Sequence, residues 1–368
     1  MTSKNSLIAL TVVFVLGIAM IGLRQQSARA SVWELSNQWA ESAHADRASE
    51  SFVHWDAEDP PSVPVGCALC HSYYGFVDYL GADGSTPGKV DKEAKIGSVV
   101  ECGTCHNPAA PSYRAVEFPS GARLTGLGYE ALCMTCHHGR ESTVSLDWRT
   151  TDKPDDAPIE KQGFVNPHYY PASATQAGAD AGGGYQYAGQ TYVGSFLHAE
   201  DMRTCISCHG AHSLKIDPQT CSPCHANVVA GTDLRDVRQS KVDYDGDGDM
   251  TEGIAAEIKA LHAGLYEAIR AYAMDVLGKP IAYSADSYPY FFVDTNDDGQ
   301  VQAEEAQNAN RYVLWSPRLL RACYNHVFVG KDPGGFSHNP KYQLQLLYDS
   351  ARDLGQVTVV QMDGWIRP

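Results

Sequence analysis

Five copies of one short cysteine–histidine motif constrain this chain more than any other feature of its sequence. Ten of the eleven cysteines occur in C-x-x-C pairs, and a histidine follows every pair, although the 368 residues contain only 14 histidines. A zinc ribbon or a disulfide framework would leave those five histidines unexplained. Motifs 1 to 5 are CALCH (Cys67, Cys70, His71), CGTCH (Cys102, Cys105, His106), CMTCH (Cys133, Cys136, His137), CISCH (Cys205, Cys208, His209) and CSPCH (Cys221, Cys224, His225).

C-x-x-C-H is the signature of covalent haem c attachment, in which two thiols bond to the vinyl groups and the histidine is the proximal iron ligand. We therefore predict five covalent haems, numbered here as their motifs are. Without residues 1–30, which are discussed below, there are roughly 68 residues per haem, so the macrocycles must replace much of an ordinary hydrophobic core. The expected fold is irregular, loop-rich and haem-wrapping, with a few α-helices, little β structure and a helical C-terminal portion.

Nine histidines lie outside the motifs, which is more than five irons need as distal ligands. This surplus favours bis-histidine, low-spin haems over open, catalytic ones. Three of the nine, His138, His262 and His326, are expected at the surface or in the core. The six distal candidates, one of them surplus, are His44, His54, His168, His198, His212 and His338.

The N-terminal segment 1–30 is predicted to be an export signal. An uncharged apolar run, Leu7–Leu23, precedes the small residues of Ala28–Ala30, which suit a cleavage site. The alternative is an uncleaved anchor helix, which would be the chain's contact with a membrane. Either way we expect an exported protein, periplasmic, extracellular or at the cell surface.

The rest of the chain divides into two predicted regions. Residues 31–230 hold the five motifs, and residues 231–368 form a helical calcium-binding region that adds one distal haem ligand. Segment 1–30 contains three of the 28 basic residues and none of the 44 acidic ones, so its removal leaves a net charge of −19. So acidic a surface disfavours nucleic acid as a partner.

Two acidic loops in the C-terminal region predict one or two calcium ions. The stronger follows the EF-hand pattern, although a solvated Asp/Gly turn is the alternative, and its ligands are Asp294, Asn296, Asp298, Gln300 and Glu305. The weaker has Ile254 where the bidentate Glu belongs, and Asp249 or Glu252 would have to compensate. Its ligands are Asp243, Asp245, Asp247 and Asp249. The odd Cys323 is expected to be a buried free thiol, with haem ligation or an intersubunit disulfide as alternatives.

These motifs resemble those of the multihaem c-type cytochromes of bacterial and archaeal respiration. The resemblance also includes CHGAH, ending at His212, and the GGFSHNPKY…LLYDS tail, and it spans most of Trp33–Leu354. It implies relay of single electrons to redox partner proteins or extracellular acceptors, and in some members self-assembly into filaments.

Three functions follow from this pattern. The first is electron transfer along closely spaced haems, of which haems 4 and 5 should be near neighbours. The second is reduction or oxidation of a small nitrogen or sulfur compound at an open haem, with a basic pocket supplied by Arg140, Arg149 or Arg321. The third is a filament subunit that conducts along the polymer.

Overall fold

The computed structural model describes residues 30–368, and the predicted export segment lies outside this range except for its last residue. The helices of the described residues are α1 (Val32–Ala40), α2 (Glu50–Val53), α3 (Val65–His71), α4 (Tyr73–Leu80), α5 (Cys102–Cys105), α6 (Glu130–Cys136), α7 (Thr143–Thr150), α8 (Ala172–Ala177), α9 (Cys205–Cys208), α10 (Ile254–Asp275), α11 (Pro317–Gly330), α12 (Gly335–His338) and α13 (Pro340–Leu354). The strands are β1 (Ala115–Glu117), β2 (Arg123–Thr125), β3 (Ile281–Tyr283) and β4 (Phe291–Val293).

The chain before α10 consists mainly of loops joined by short helices. Its small antiparallel sheet pairs β1 with β2, with Val116 opposite Leu124. A second two-stranded sheet, β3–β4, follows α10, with Ala282 opposite Phe292. The expected loop-rich fold with a few helices and little β structure is therefore confirmed.

The three long helices, α10, α11 and α13, pack together near the C-terminus. Their starts follow capping rules: Ser316 and Asn339 accept hydrogen bonds from backbone N–H groups in the first turns of α11 and α13, and proline stands first in each helix. Apolar residues recur along α10 at steps of three and four, and this stripe is buried at Ile258, Leu261 and Leu265. These helices pack through aliphatic and aromatic side chains, as in the hydrophobic core of an ordinary globular protein.

A glycine-rich segment, residues 178–195, lies across these helices. A Cβ added to Gly184 would come within 2.3 Å of Leu346 Cδ1, so only glycine permits this close approach. The buried Asn325 side chain accepts a hydrogen bond from the Tyr185 N–H at 2.6 Å and donates to the Tyr185 carbonyl at 2.9 Å. These contacts hold residues 178–195 on the rigid helices, between His168 and His198.

The main hydrophobic cluster contains residues on both sides of position 230, from Val116 to Leu354. The two-region division of the chain stays a prediction. None of the helices within residues 30–368 is long and apolar enough to cross a membrane.

Candidate functional site

Four of the five motifs include a short helix, and this conformation determines where their side chains point. Motif 1 lies in α3, motif 2 begins α5, motif 3 ends α6 and motif 4 begins α9. Residues three and four apart share one face of a helix, so both cysteines and the histidine of a motif project to the same side. Motif 5 follows a 3₁₀ turn, Pro218–Thr220, instead.

Each motif histidine lies beside one of the distal candidates. The ring centroids of the five pairs are 5.7 to 6.4 Å apart. The pairs are His71–His168, His106–His212, His137–His44, His209–His338 and His225–His198.

These separations fit two imidazoles on opposite sides of one metal ion. Two metal–imidazole bonds of about 2 Å put the nitrogens about 4 Å apart and the centroids about 6 Å apart. The Nε2 atoms of His71 and His168 face each other at 3.5 Å. Directly stacked imidazoles are closer, as in the His262–His326 pair, whose centroids are 3.9 Å apart. The five pairs therefore leave space of about the size that an iron needs.

Hydrogen bonds orient several of the paired rings. The Nδ1–H groups of His71 and His137 donate to the carbonyls of Ser51 (2.8 Å) and Tyr170 (3.2 Å). His209 donates to the Leu214 carbonyl at 3.2 Å in the same way. A bond of this kind fixes the tautomer and leaves Nε2 with a free lone pair, which is the form that ligates a metal.

His338 has a charged partner, unlike the other paired histidines. Its Nδ1 lies 2.9 Å from both carboxylate oxygens of Asp332, whose side chain is only 2 % exposed. The short helix α12 ends at His338 and α13 begins two residues later. The His338 ring is therefore held in place by the buried Asp332 carboxylate and by its position just before the first turn of α13.

Burial keeps several of the paired histidines neutral. Burial, with a smaller contribution from the charge of His137, lowers the pKa of His44 to about 4. Burial and then His71 lower the pKa of His168 to about 4 as well. Burial is also the main cause of the lowered pKa of His137. A neutral imidazole is the state required for metal coordination.

The remaining histidines do not lie opposite a motif histidine at this spacing. His54 is exposed and its Nδ1 lies 2.6 Å from a Glu50 carboxylate oxygen. His138 donates to the Gly139 carbonyl, and His262 donates to the His326 carbonyl at 2.8 Å. The pairing therefore singles out His54 as the surplus member of the six distal candidates.

None of the eleven cysteines within residues 30–368 forms a disulfide. The ten motif thiols are thus available for thioether bonds. Cys323 is different, because it is fully buried in the main core and burial raises its thiol pKa well above the usual value. A buried, protonated thiol in apolar surroundings is inert, which agrees with the simplest interpretation of this residue.

The weaker acidic loop gathers more ligand atoms than its sequence predicts. Carboxylate oxygens of Asp243, Asp245 and Asp247 lie within 4.8 Å of one another, and Asp245 forms a second such group with Glu252 and Glu257. Burial and neighbouring carboxylates raise the pKa of Asp245 to about 6 and that of Glu252 to about 7. This crowding of carboxylates favours a bound cation.

Glu257 is the residue that the sequence analysis missed. It lies in the first turn of α10, fully buried, where Oε2 accepts the N–H groups of Tyr244 (2.7 Å) and Asp245 (2.9 Å). Oε1 pairs with Arg238 at 2.5 Å. The sequence did contain a signal for Glu257. It lies on the apolar stripe of α10, three residues after Ile254, and a lone acid on a buried face needs polar or charged partners. Asp249, predicted as a calcium ligand of this loop, accepts a hydrogen bond from the Thr251 N–H and is not part of either carboxylate group in the described chain.

The EF-hand-like loop closes mainly on its own backbone. The buried Asp294 accepts the N–H of Gly299 at 2.7 Å, and the buried Glu305 accepts the N–H of Thr295 at 2.7 Å. Asp298 accepts the N–H of Gln300 at 2.8 Å, and Asn296 donates to Asp298. The three carboxylates predicted as ligands, those of Asp294, Asp298 and Glu305, do not form a group within 4.8 Å in the described chain.

Two of the three arginines proposed to line a reactive pocket already have acidic partners. Arg149 pairs with Glu141 at 3.3 Å and Arg321 pairs with Asp155 at 2.8 Å. Arg140 is exposed and close enough to His71 and His168 for its charge to lower the pKa of both. Of the three arginines, Arg140 is thus the one beside a histidine pair, and the charge of Lys331 also lowers the pKa of His168.

The motifs and the histidine pairs are typical of multihaem c-type cytochromes, and the chain is similar to two proteins of that kind. The chain is 25% identical over 355 aligned residues to the C-type polyheme cytochrome OmcB of Geobacter sulfurreducens, covering 82% of this chain and 45% of OmcB. It is also 25% identical over 375 aligned residues to the C-type polyheme cytochrome OmcC of the same organism, covering 83% and 44%. The chain thus spans less than half the length of either relative. No protein-family model matches it, and no solved structure matches it either.

Proposed function

We propose that this chain is an exported pentahaem c-type cytochrome that passes single electrons along closely spaced bis-histidine haems. The observation that carries the proposal is the one-to-one pairing of five motif histidines with five others at a spacing suited to one iron. The names of the similar proteins, both polyheme cytochromes, support the same class. Its partners are proposed to be redox proteins or extracellular electron acceptors.

In this proposal each pair of cysteines would hold one haem covalently, and each histidine pair would supply the two protein ligands of its iron. The distal ligands of haems 1 to 5 are His168, His212, His44, His338 and His198, in that order. A bound haem supplies reversible one-electron chemistry at its iron. The chain's own residues would supply and orient the histidine ligands, exclude water from the buried rings and set the surrounding charge.

Full coordination favours electron transfer over chemistry on a small molecule. An enzyme of this kind needs one iron with an open position, but every motif histidine here has a second histidine opposite it. Acidic residues outnumber basic ones, 44 to 28, and negative charge stabilises the ferric state. We therefore expect mostly negative midpoint potentials.

A redox titration of the purified protein tests this function. We expect five one-electron steps per chain, with most midpoint potentials below zero millivolts. Adding nitrite, hydroxylamine or sulfite to the oxidised protein should not change its haem absorption spectrum. Five haems that all titrate well above zero, or an absorption change with one of these compounds, would contradict simple electron transfer.

We also propose that the two acidic loops bind calcium as structural ions. The first loop uses Asp243, Asp245, Asp247 and Glu252, with Glu257 holding the loop backbone against α10. The second uses Asp294, Asn296, Asp298, Gln300 and Glu305. The support is carboxylate crowding in the first loop and the EF-hand sequence pattern in the second.

Calcium titration of chelator-treated protein checks this second proposal. Asp245→Asn is expected to weaken one of two binding events about tenfold or more, because Asp245 belongs to both carboxylate groups of its loop. The control is Asp286→Asn, an exposed acid outside both loops, which should leave both events unchanged. Equal calcium binding by the parent and the Asp245 variant would refute the first site.

A further inference from the structure

We propose that the charge of Lys331 makes haem 1 easier to reduce, whereas the charge of the next residue, Asp332, makes haem 4 harder to reduce. The two residues directly follow α11. They set the two haems apart in midpoint potential, so that an electron shared between haems 1 and 4 favours haem 1. The inference rests on the proposed pentahaem function and adds a direction to its electron transfer.

The Lys331 side chain is a buried cation without an acidic partner. The residue is only 8 % exposed, and its Nζ lies 3.5 Å from the ring centroid of Tyr169 and 4.4 Å from that of Tyr290. The hydroxyl groups of the two tyrosines bond to each other, so the rings form a cage for the ammonium group. This group has no ion pair and no hydrogen bond in the described chain. Aromatic faces offset only part of the hydration that a buried ammonium loses, and they do not neutralise its charge.

Arg318, a similarly buried basic residue, is paired with acids instead. Its guanidinium group lies 2.7 Å from a carboxylate oxygen of Asp156 and 2.6 Å from one of Asp353. Close pairing of this kind cancels most of the field that a buried charge exerts on more distant groups. The field of Lys331 is not cancelled in this way, so it acts on the groups around the tyrosine cage.

The tyrosine cage lies beside the histidine pair of haem 1. Tyr169 follows His168 in the chain, and the centroids of their rings are 5.3 Å apart. Because Lys331 Nζ contacts the same tyrosine ring, it is closer to His168 than the screening length of about 10 Å at 0.1 M salt. The Lys331 carbonyl also accepts the N–H of Tyr170 at 3.2 Å, which attaches the end of α11 to this segment. The contribution of Lys331 to the lowered pKa of His168 agrees with this position.

Asp332 has its effect at a different haem. Its carboxylate bonds to Nδ1 of His338, the proposed distal ligand of haem 4, at 2.9 Å. In the described chain no carboxylate bonds to His71 or His168, the proposed ligands of haem 1. A ferric haem carries one more positive charge than a ferrous haem, so a nearby cation favours reduction and a nearby anion opposes it. Haem 1 therefore has the higher midpoint potential of the two.

The test replaces Lys331 by methionine, glutamine or arginine in the full haem-loaded protein. It is run at pH 7, where Lys331 is charged because burial lowers its pKa only to about 8. We expect Lys331→Met and Lys331→Gln to lower the ferrous-to-ferric equilibrium constant of haem 1 about tenfold, which is 59 mV for a one-electron couple. Lys331→Arg keeps the charge and should keep the potential. The control is Lys259→Met, which removes an exposed lysine of α10 and should cause no comparable shift.

The readout is a redox titration followed by paramagnetic NMR, which resolves the methyl signals of individual haems. The signals of haem 1 are those that His168→Ala changes most, and those of haem 4 are identified in the same way with His338→Ala. In the unmodified protein we expect haem 1 to become reduced at a higher potential than haem 4.

The reverse order of these two haems would overturn the proposal. So would a fall in the neutral variants that is absent or is largest at another haem, or an equal fall in Lys331→Arg. Failure of the proposed function looks different, because it would appear in the unmodified protein as fewer than five haems or as a high-spin iron.

Discussion

Replacing His338 with alanine is expected to convert one of five low-spin haems to the high-spin state in the oxidised protein. His338 lies opposite His209, with ring centroids 6.4 Å apart, so its removal leaves haem 4 without a distal ligand. Alanine cannot ligate iron, and the opened position would accept water or an added ligand. The measurement is electron paramagnetic resonance of the ferric protein, with cyanide binding as a second readout: about one cyanide per chain in the variant and none in the parent.

The matched control is His54→Ala. His54 is exposed, bonds to Glu50 and has no motif histidine opposite it at ligand spacing in the described structure. We expect no high-spin signal and no cyanide binding from this variant. A high-spin signal in His54→Ala, combined with a fully low-spin His338→Ala, would mean that the ligand assignment is wrong.

Replacing Asp332 with asparagine is expected to raise the midpoint potential of haem 4 more than that of any other haem. The Asp332 carboxylate bonds to His338 Nδ1 at 2.9 Å in a site where only 2 % of the Asp332 side chain is exposed. Its negative charge makes the imidazole a stronger donor and stabilises ferric iron, so a neutral amide favours the ferrous state. The expected rise is on the order of 100 mV, because a hydrogen bond to a charged group contributes about 1.5–3 kcal/mol and a one-electron couple shifts by 59 mV per tenfold change.

Glu50→Gln provides the control for this shift. It removes the same kind of carboxylate from a histidine, since Glu50 bonds to His54 at 2.6 Å, but at a histidine outside the five pairs. A spectroelectrochemical titration should therefore show a rise for Asp332→Asn that is largest at one haem, and no comparable shift for Glu50→Gln. Similar shifts in both variants would show that surface charge, and not the bond to His338, sets this potential.

The fold class was predictable because haem motifs dictate it more strongly than secondary-structure propensity does. Five C-x-x-C-H motifs in one chain leave little room for sheets, and within residues 30–368 the long helices occur only after the last motif. The stripe on α10 and the proline that starts α13 were visible in the sequence, since both are local patterns. The packing of the glycine-rich segment on α11 through Asn325 was not, because it depends on contacts about 140 residues apart.

The site was predictable in its residues but not in its pairing. The sequence identifies six distal candidates, yet matching each to a motif needs contacts between residues far apart in the chain, from 27 residues between His198 and His225 to 129 between His209 and His338. His212 shows the difficulty, because it lies beside motif 4 in the sequence and opposite His106 of motif 2 in space. Glu257 was missed for a related reason, since its acidic neighbours lie in the loop before its own helix.

The central claim, that five haems are each held by two histidines, is tested most directly by electron paramagnetic resonance of the fully oxidised, unmodified protein. Its haem content is counted in parallel by intact mass. The account predicts the mass of five attached haems and low-spin ferric signals that integrate to five irons per chain, with no high-spin component. A high-spin signal near one iron per chain, or a mass with fewer than five haems, would contradict it.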